Sequence, residues 1–364
     1  MQELKGVGLL EIMTLIFNRN SYTIRLMIKE NKENKVVKAV GLMSGGLDSS
    51  LACKIIKDLG VEVYGVYFAM PWGCCDKKKA MESAEEIGIH FITLQLDERY
   101  LEIVRKPKHG YGTALNPCRD CRIHMFSRAG QYMRHIGADF VFTGEVAGQR
   151  PMSQKRNIMR CIERDAGLEG RLLRPLCAQL MEPTIVEEQG LVDRTKLLSL
   201  NGRSRSDQYA LAEKLNITKF SAPAGGCALT DPNFANRMKD TLKYGYRNFR
   251  ETIGLKWGRH FRINADFKIV IGRDSAENDS LIEYAHLDDY ILQLPKNDGP
   301  TAILKGACPS ESILAIAAAL IQRYSKYKSE ESIKVNYWPV KDRNNVQSIS
   351  SHSLLEDVVE RMRV

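Results

Sequence analysis

The chain carries two sets of residues whose types and spacing could do chemistry. Residues 44–50 read Ser-Gly-Gly-Leu-Asp-Ser-Ser. Gly45 and Gly46 permit a tight turn with positive φ, so successive backbone N–H groups can converge on phosphate oxygens. Ser44, Ser49 and Ser50 add hydroxyl donors, and a helix starting at Ser49 would aim its positive end at the same place. Asp48 is out of character for a simple anion loop, because a carboxylate beside phosphates repels them unless a cation intervenes. It is a candidate Mg²⁺ anchor.

The second set is made of thiols. Asn116-Pro117-Cys118-Arg119-Asp120-Cys121 places a CxxC at the start of a helix, where the dipole, Arg119 and Arg122 favour thiolate. Cys227 follows in Pro223-Ala224-Gly225-Gly226-Cys227, whose glycines allow close backbone approach to a bulky group. No second CxxC and no HxxxH completes a structural zinc site. Three cysteines suit a [4Fe–4S] cluster with one open iron, able to carry an extra sulfide. The competing chemistry uses the same residues without metal: one cysteine carries a persulfide and another resolves the resulting disulfide. Cys74 and Cys75, with Cys53, Cys161, Cys177 and Cys308, read as structural.

The elements that must position these groups alternate. Strands are predicted at 36–43, 61–69 and 90–94, with helices at 49–59 and 77–88 between them. A helix over 118–136, a strand over 140–143 and a polar stretch through Arg171 follow. The βαβαβ rhythm predicts an α/β fold with a parallel sheet, whose ligands sit at the carboxyl ends of the strands. Beyond Asp231 the chain turns basic and aromatic. Strands at 267–271, 289–294 and 302–304 and a helix over 310–325 then predict a smaller α+β domain. The expected organisation is an N-terminal extension (1–35), a catalytic domain (36–230), a basic aromatic connecting segment (231–262) and a C-terminal domain (263–364).

The 364 residues allow two or three domains. Mean hydropathy is −0.29, and the apolar run from Gly8 to Phe17 is shorter than the roughly 20 residues a membrane span requires. It has no basic start or cleavage site, so a cytoplasmic protein is expected. The formal net charge of +9 favours an anionic partner.

SGGLDSS, in its strand–loop–helix setting, resembles the signature of the ATP pyrophosphatase (PP-loop) superfamily, whose members adenylate an oxygen and release pyrophosphate. With NPCRDCRIHMF at 116–126, TGEVAGQRPMSQ at 143–154 and LLRPL at 172–176, the span from about 36 to 230 resembles the catalytic domain of tRNA thiouridine synthetases. The TGE, GQ…SQ and RPL elements look most like 4-thiouridine synthetase, and NPCxxC is similar to the tRNA 2-thiouridylase. The resemblance implies ATP with Mg²⁺ bound by Ser44 to Ser50, including Leu47 and Asp48. It also implies tRNA as substrate, adenylation of a uracil carbonyl oxygen, and sulfur attack with loss of AMP, 4-thiouridine being favoured over 2-thiouridine. The sulfur donor would be sulfide or a cysteine desulfurase system, and a homodimer is open. Gly144, Gln149 and Ser153 would lie near ATP or the uridine, and Arg174 could steady a phosphate.

The usual N-terminal RNA-binding module of the 4-thiouridine family is not expected ahead of the loop. Residues 269–305 are instead similar to the RNA-binding domain of the NFACT family, with Tyr290-Ile291-Leu292 standing where that family has Trp-Leu-His. In the connecting segment, Arg237, Lys239, Lys243, Arg247, Arg250, Lys256, Arg259 and Arg262 are interleaved with Tyr244, Tyr246, Phe249 and Trp257. Cations for phosphates alternate with rings for stacking, and Arg247, Arg250, Lys256 and Arg259 are the expected RNA contacts. Two other readings stand beside this one: a PP-loop enzyme adenylating a small molecule, and a noncatalytic RNA- or ribosome-binding protein.

Overall fold

A computed structural model of the chain describes residues 36–73, 76–222, 226–246 and 248–364. The extension 1–35, Cys74, Cys75 and Arg247 therefore lie outside the described residues.

The first half is a parallel α/β domain. β1 (Lys38–Leu42), α1 (Leu47–Asp58), β2 (Glu62–Ala69), α2 (Lys77–Ile87) and β3 (His90–Gln95) follow in order. Next come α3 (Arg99–Arg105), α4 (Cys118–His135), β4 (Phe140–Phe142), α5 (Arg156–Asp165) and β5 (Leu172–Leu173). The strands hydrogen-bond in the order β3-β2-β1-β4-β5, all parallel. Apolar side chains pack on both faces: Leu51, Ile56, Phe140 and Phe142 belong to one core, and Val40, Val66, Phe126 and Ile162 to the other. Burial on both faces explains why the strands read as continuous apolar runs rather than alternating ones. β1 is flanked by β2 and β4, so chain direction across the sheet reverses at its end. The loops after β1 and β4 meet at that switch point, where doubly wound sheets hold ligands.

α5 lies in what composition marks as a polar stretch. Arg156, Arg160 and Arg164 face outward while Ile158, Met159 and Ile162 are buried, a stripe at helical spacing that dense charge obscures.

After the short helices α6 (Ile185–Glu188) and α7 (Ser206–Lys214), α8 (Pro232–Tyr244) and a 3₁₀ segment (Phe249–Lys256) lead into the second domain. It contains β6 (Arg259–Arg262), β7 (Lys268–Ile271), α9 (Ser275–Glu283), β8 (Tyr290–Gln293), β9 (Ala302–Lys305), α10 (Glu311–Arg323), β10 (Lys334–Pro339), β11 (Gln347–Ser350) and α11 (Glu356–Met362). The sheet is six-stranded and antiparallel, in the order β11-β10-β8-β9-β7-β6. Its core joins Ile269, Leu292 and Leu304 to Ala317, Leu320 and Ile321 of α10. Three strands escape sequence reading. β6 (Arg-His-Phe-Arg) and β11 (Gln-Ser-Ile-Ser) are polar edges, and β10 ends in proline, which only an edge or strand end tolerates. Because β6 pairs with β7 from Arg259↔Ile271 onward, the second sheet begins inside the basic segment.

A further cluster joins Trp72, Tyr100, Leu115 and Leu229 to Phe234, Met238 and Leu255. It fastens α8 and the 3₁₀ segment to the carboxyl end of the first sheet.

Candidate active site

The turn between β1 and α1 requires glycine twice over. Gly45 has φ +76°, and a Cβ there would fall 2.7 Å from the backbone N of Ala80 in α2. Gly46 caps the helix, which starts at Leu47, two residues earlier than Ser49. The Ser49 hydroxyl donates to the Gly46 carbonyl at 2.8 Å. The buried Ser50 hydroxyl donates to the same carbonyl at 3.1 Å and bonds the Ser83 hydroxyl at 2.7 Å. Both serines therefore brace the first turn, and Ser44 is the exposed hydroxyl of the loop. The amides of Leu47, Asp48 and Ser49 have no acceptor within the helix, as at any helix start.

The loop after β4 closes on Asp48. A Cβ on Gly144 would lie 2.4 Å from the Asp48 carbonyl oxygen, so only glycine lets the two backbones touch. Gln149 donates to Asp48 Oδ2 at 3.0 Å, and the Arg205 guanidinium lies 3.8 Å from the same oxygen. Asp48 Oδ1 is buried with no hydrogen-bond partner among the described residues. Such an oxygen suits a cation. Ser153 is fully buried, and its hydroxyl likewise has no partner among the described residues.

Glu145, 3% exposed, ties this loop to the thiols. It receives the Arg174 Nε at 3.1 Å and the Arg122 guanidinium at 2.6 Å. Arg174 also reaches Glu163 at 2.6 Å and the Met159 carbonyl at 3.1 Å. Burial alone would lower its pKa, but Glu145 and Glu163 more than offset that and hold it above the ordinary arginine value. The expected phosphate role of Arg174 does not match this placement: its donors are spent on an internal ion-pair network. Arg122 carries the network to within electrostatic reach of Cys118.

Two backbone bonds gather the cysteines at the same edge. Leu115 N–H donates to the Leu229 carbonyl at 3.0 Å, just before Cys118 and just after Cys227, and Ser221 N–H donates to the Gly45 carbonyl at 2.7 Å. Cys121 and Cys227 pack against the Trp72–Tyr100–Leu229 cluster. Tyr100, Cys118 and Cys227 all lie within electrostatic reach of Cys121. Burial pushes the Cys121 thiol up to about 12. The helix start and Arg122 were expected to favour thiolate there; desolvation by the apolar cluster outweighs them. Among the described residues, three His, Cys, Asp or Glu ligand atoms come within 4.8 Å of one another only at His109, Cys161 and Asp165. The three cysteines are thus too widely spaced for a single ion. Cys118, Cys121 and Cys227 are all partly buried free thiols, and Cys121 and Cys227 border the apolar cluster, a soft, water-poor donor set of the kind an iron–sulfur group takes.

The basic segment divides into braces and free cations. Arg262 makes a two-pronged pair with Asp240 at 3.0 and 2.8 Å, and Arg237 donates to the Leu255 carbonyl at 3.0 Å. Arg259 lies over the Tyr324 ring, 4.8 Å from its centroid. Phe249 packs edge-on to Trp72 at 5.8 Å, and Trp257 packs on Tyr284 at 4.9 Å. These rings serve the core, where the sequence suggested stacking on bases. Lys239, Lys243, Tyr244 and Lys256 are exposed.

Two family descriptions match the chain: "tRNA methyl transferase HUP domain" over residues 37–166 and "NFACT protein RNA binding domain" over residues 258–361. The tRNA-specific 2-thiouridylase MnmA of Geotalea uraniireducens is 31% identical over 261 residues, covering 64% of this chain and 68% of that protein. The chain belongs to the PP-loop tRNA thiolase family. MnmA of Micrococcus luteus is 33% identical over 132 residues, 32% of this chain. The chain spans only 35% and 34% of the length of the first curated relatives it matches. Among solved structures, a 4-thiouridine synthetase–RNA complex with bound ATP is 21% identical, covers 50% of this chain and 52% of its own, and has a TM-score of 0.32. The U34-tRNA thiolase NcsA from Methanococcus maripaludis, with its [4Fe-4S] cluster, is 14% identical over 60% of this chain and 71% of its own, with a TM-score of 0.31.

Tyr100 is the site residue that sequence reading passed over, and Glu145 was quoted only within the TGE element, with no role given to it. Its signal was a carboxylate three residues beyond a fully apolar strand. Tyr100 left none. No helix among the described residues is long and apolar enough to cross a membrane.

Proposed function

We propose that this thiolase-family chain uses ATP to thiolate a uridine of tRNA. The observation that carries the reading is the single edge shared by the SGGLDSS turn, Asp48, and the cysteines on α4 and after Ser221.

The backbone amides of Gly45 to Ser49 and the Ser44 hydroxyl hold the ATP phosphates, while Ser50 keeps the turn rigid. Asp48, whose Oδ1 has no partner among the described residues, would hold Mg²⁺, which would supply charge neutralisation for the phosphates. Gln149 orients that carboxylate. A uracil carbonyl oxygen attacks the α-phosphorus and pyrophosphate departs with the α–β bridging oxygen. Hydrosulfide then adds to the activated carbon and loses its proton, and AMP leaves with the former carbonyl oxygen. Adenylation is needed because a carbonyl oxygen is a poor leaving group until esterified.

Cys118, Cys121 and Cys227 would hold a [4Fe–4S] group through three irons. Such a group supplies an open iron able to bind sulfide. The apolar packing around Cys121 and Cys227 excludes water from this corner, and Arg122, fixed by Glu145, supplies positive charge beside Cys118. The loop elements pointed to the 4-position of uracil, whereas the names of the sequence relatives support the 2-position. The sheet at 258–361 and the exposed lysines of the connecting segment bind the tRNA, with Lys239, Lys243 and Lys256 as phosphate contacts; the expected contact Arg259 lies over Tyr324 instead. Release of AMP and pyrophosphate from ATP, measured with tRNA lacking thiouridine, tests the reading. Stimulation by tRNA supports it, and equal turnover without tRNA on a small acceptor contradicts it.

A further inference from the structure

A second group of ligating side chains lies outside this site. His109 precedes α4, while Cys161 and Asp165 lie four residues apart on α5 and so share one face. His109 Nε2 is 3.3 Å from Asp165 Oδ2 and 3.8 Å from Cys161 Sγ. His109 Nδ1 is 3.0 Å from Asp120 Oδ1, and the His109 backbone N–H donates to Asp120 Oδ2 at 3.0 Å.

The imidazole thus stands between two carboxylates. A neutral ring donates to one and presents a lone pair to the other, so a cation belongs between Nε2 and Asp165. We infer that His109, Cys161 and Asp165 form a binding site for a zinc-type divalent ion, with Asp120 as the outer carboxylate that orients the histidine. Zinc bonds of about 2.0–2.1 Å to nitrogen or oxygen and about 2.3 Å to sulfur give tetrahedral edges of about 3.3 Å and 3.5 Å. The observed 3.3 and 3.8 Å separations fall close to both. Hydrogen bonding of the non-ligating nitrogen to a carboxylate is the usual support of a metal-bound histidine.

Two cations now share these groups. Lys108 Nζ lies 2.9 Å from Asp165 Oδ2, and Arg164 lies 3.1 Å from Asp165 Oδ1 and 3.8 Å from Cys161 Sγ. Both side chains are mostly exposed and can swing into water when an ion enters. Because Asp120 lies between Cys118 and Cys121, the ion would tie the start of α4 to α5 and to the loop before Cys118.

The site is tested on the full chain with Cys118, Cys121 and Cys227 replaced by alanine, so that their thiols do not compete. Added Co²⁺ should give one equivalent of tetrahedral, sulfur-ligated cobalt absorption. The sulfur band should vanish in Cys161→Ser, and affinity should fall about 10–100-fold in Asp120→Asn. Lys108→Ala should tighten binding by removing the competing cation. On the unaltered chain, Zn²⁺ should protect Cys161 from alkylation, followed by peptide mass spectrometry. Absence of a sulfur–cobalt band, its persistence in Cys161→Ser, or unprotected Cys161 in the unaltered chain each overturns the site.

Discussion

The Ser221 amide donates to the Gly45 carbonyl at 2.7 Å, so the chain leading to Cys227 starts on the phosphate turn itself. Six residues of extended chain reach at most about 20 Å. In the proposed reaction, activation of the uracil oxygen and delivery of sulfur would share one edge of one sheet.

Asp48→Asn keeps a side-chain oxygen for Gln149 but removes the charge that faces a cation. Metal-assisted charge stabilisation is worth several kcal/mol, so tRNA-stimulated pyrophosphate release should fall at least about 100-fold. The thermal midpoint should stay near that of the parent, since Oδ1 makes no hydrogen bond among the described residues. Pyrophosphate release assays and calorimetry on the same preparation check both statements.

Gly144→Ala places a methyl group 2.4 Å from the Asp48 carbonyl. Overpacking of this kind costs about 1–3 kcal/mol, and the strain falls on the first turn of α1. Denaturant unfolding should show that loss together with weakened ATP binding. Unchanged binding would separate Gly144 from the nucleotide site.

Arg174→Ala strips a buried partner from Glu145 and Glu163. Breaking a buried pair from one side costs about 3–5 kcal/mol. The variant should unfold at markedly lower denaturant, whereas a residue that only contacts phosphate would lower turnover without that shift.

Arg174 also shows how far the sequence carries. The alternation of apolar runs made the parallel sheet legible, and SGGLDSS and CxxC stood out because each needs a particular backbone or spacing. The ion-pair network around Glu145 was not legible, since its members are separated by loops and only the folded sheet brings Arg122, Glu145, Glu163 and Arg174 together. The protonation of Cys121 was hidden for a related reason. Local helix geometry argued for thiolate, while the apolar cover from Trp72 and Tyr100 comes from elsewhere in the chain. In the second domain, the polar edge strands β6 and β11 lack the apolar alternation that marks a strand.

His260, 3% exposed, lines a cavity of about 350 Å³ beside Tyr244 and Lys268. Its Nε2 hydrogen-bonds the Trp257 carbonyl at 2.7 Å. Burial, then the charges of Lys268 and Arg237, hold its pKa well below the ordinary histidine value. The unfolded chain therefore takes up a proton first as pH falls below about 6.5, and folding stability is lost there by up to about 1.4 kcal/mol per pH unit. Urea unfolding between pH 7 and 5 should show this slope, and His260→Phe should reduce it.

Lys256→Ala should weaken tRNA binding uniformly across sequences and lower the slope of log affinity against log salt by about 1. Arg262→Ala, which loses the Asp240 pair, should act on stability instead. Filter binding across a salt series distinguishes the two.

Thionucleoside analysis of tRNA from cells with and without the gene, and from cells carrying Cys118→Ala, Cys121→Ala or Cys227→Ala, reads the central claim directly. Loss of one thiouridine on deletion and in each cysteine variant, restored by the unaltered chain, is the predicted result. Identical thionucleoside profiles in all of these cells would contradict it.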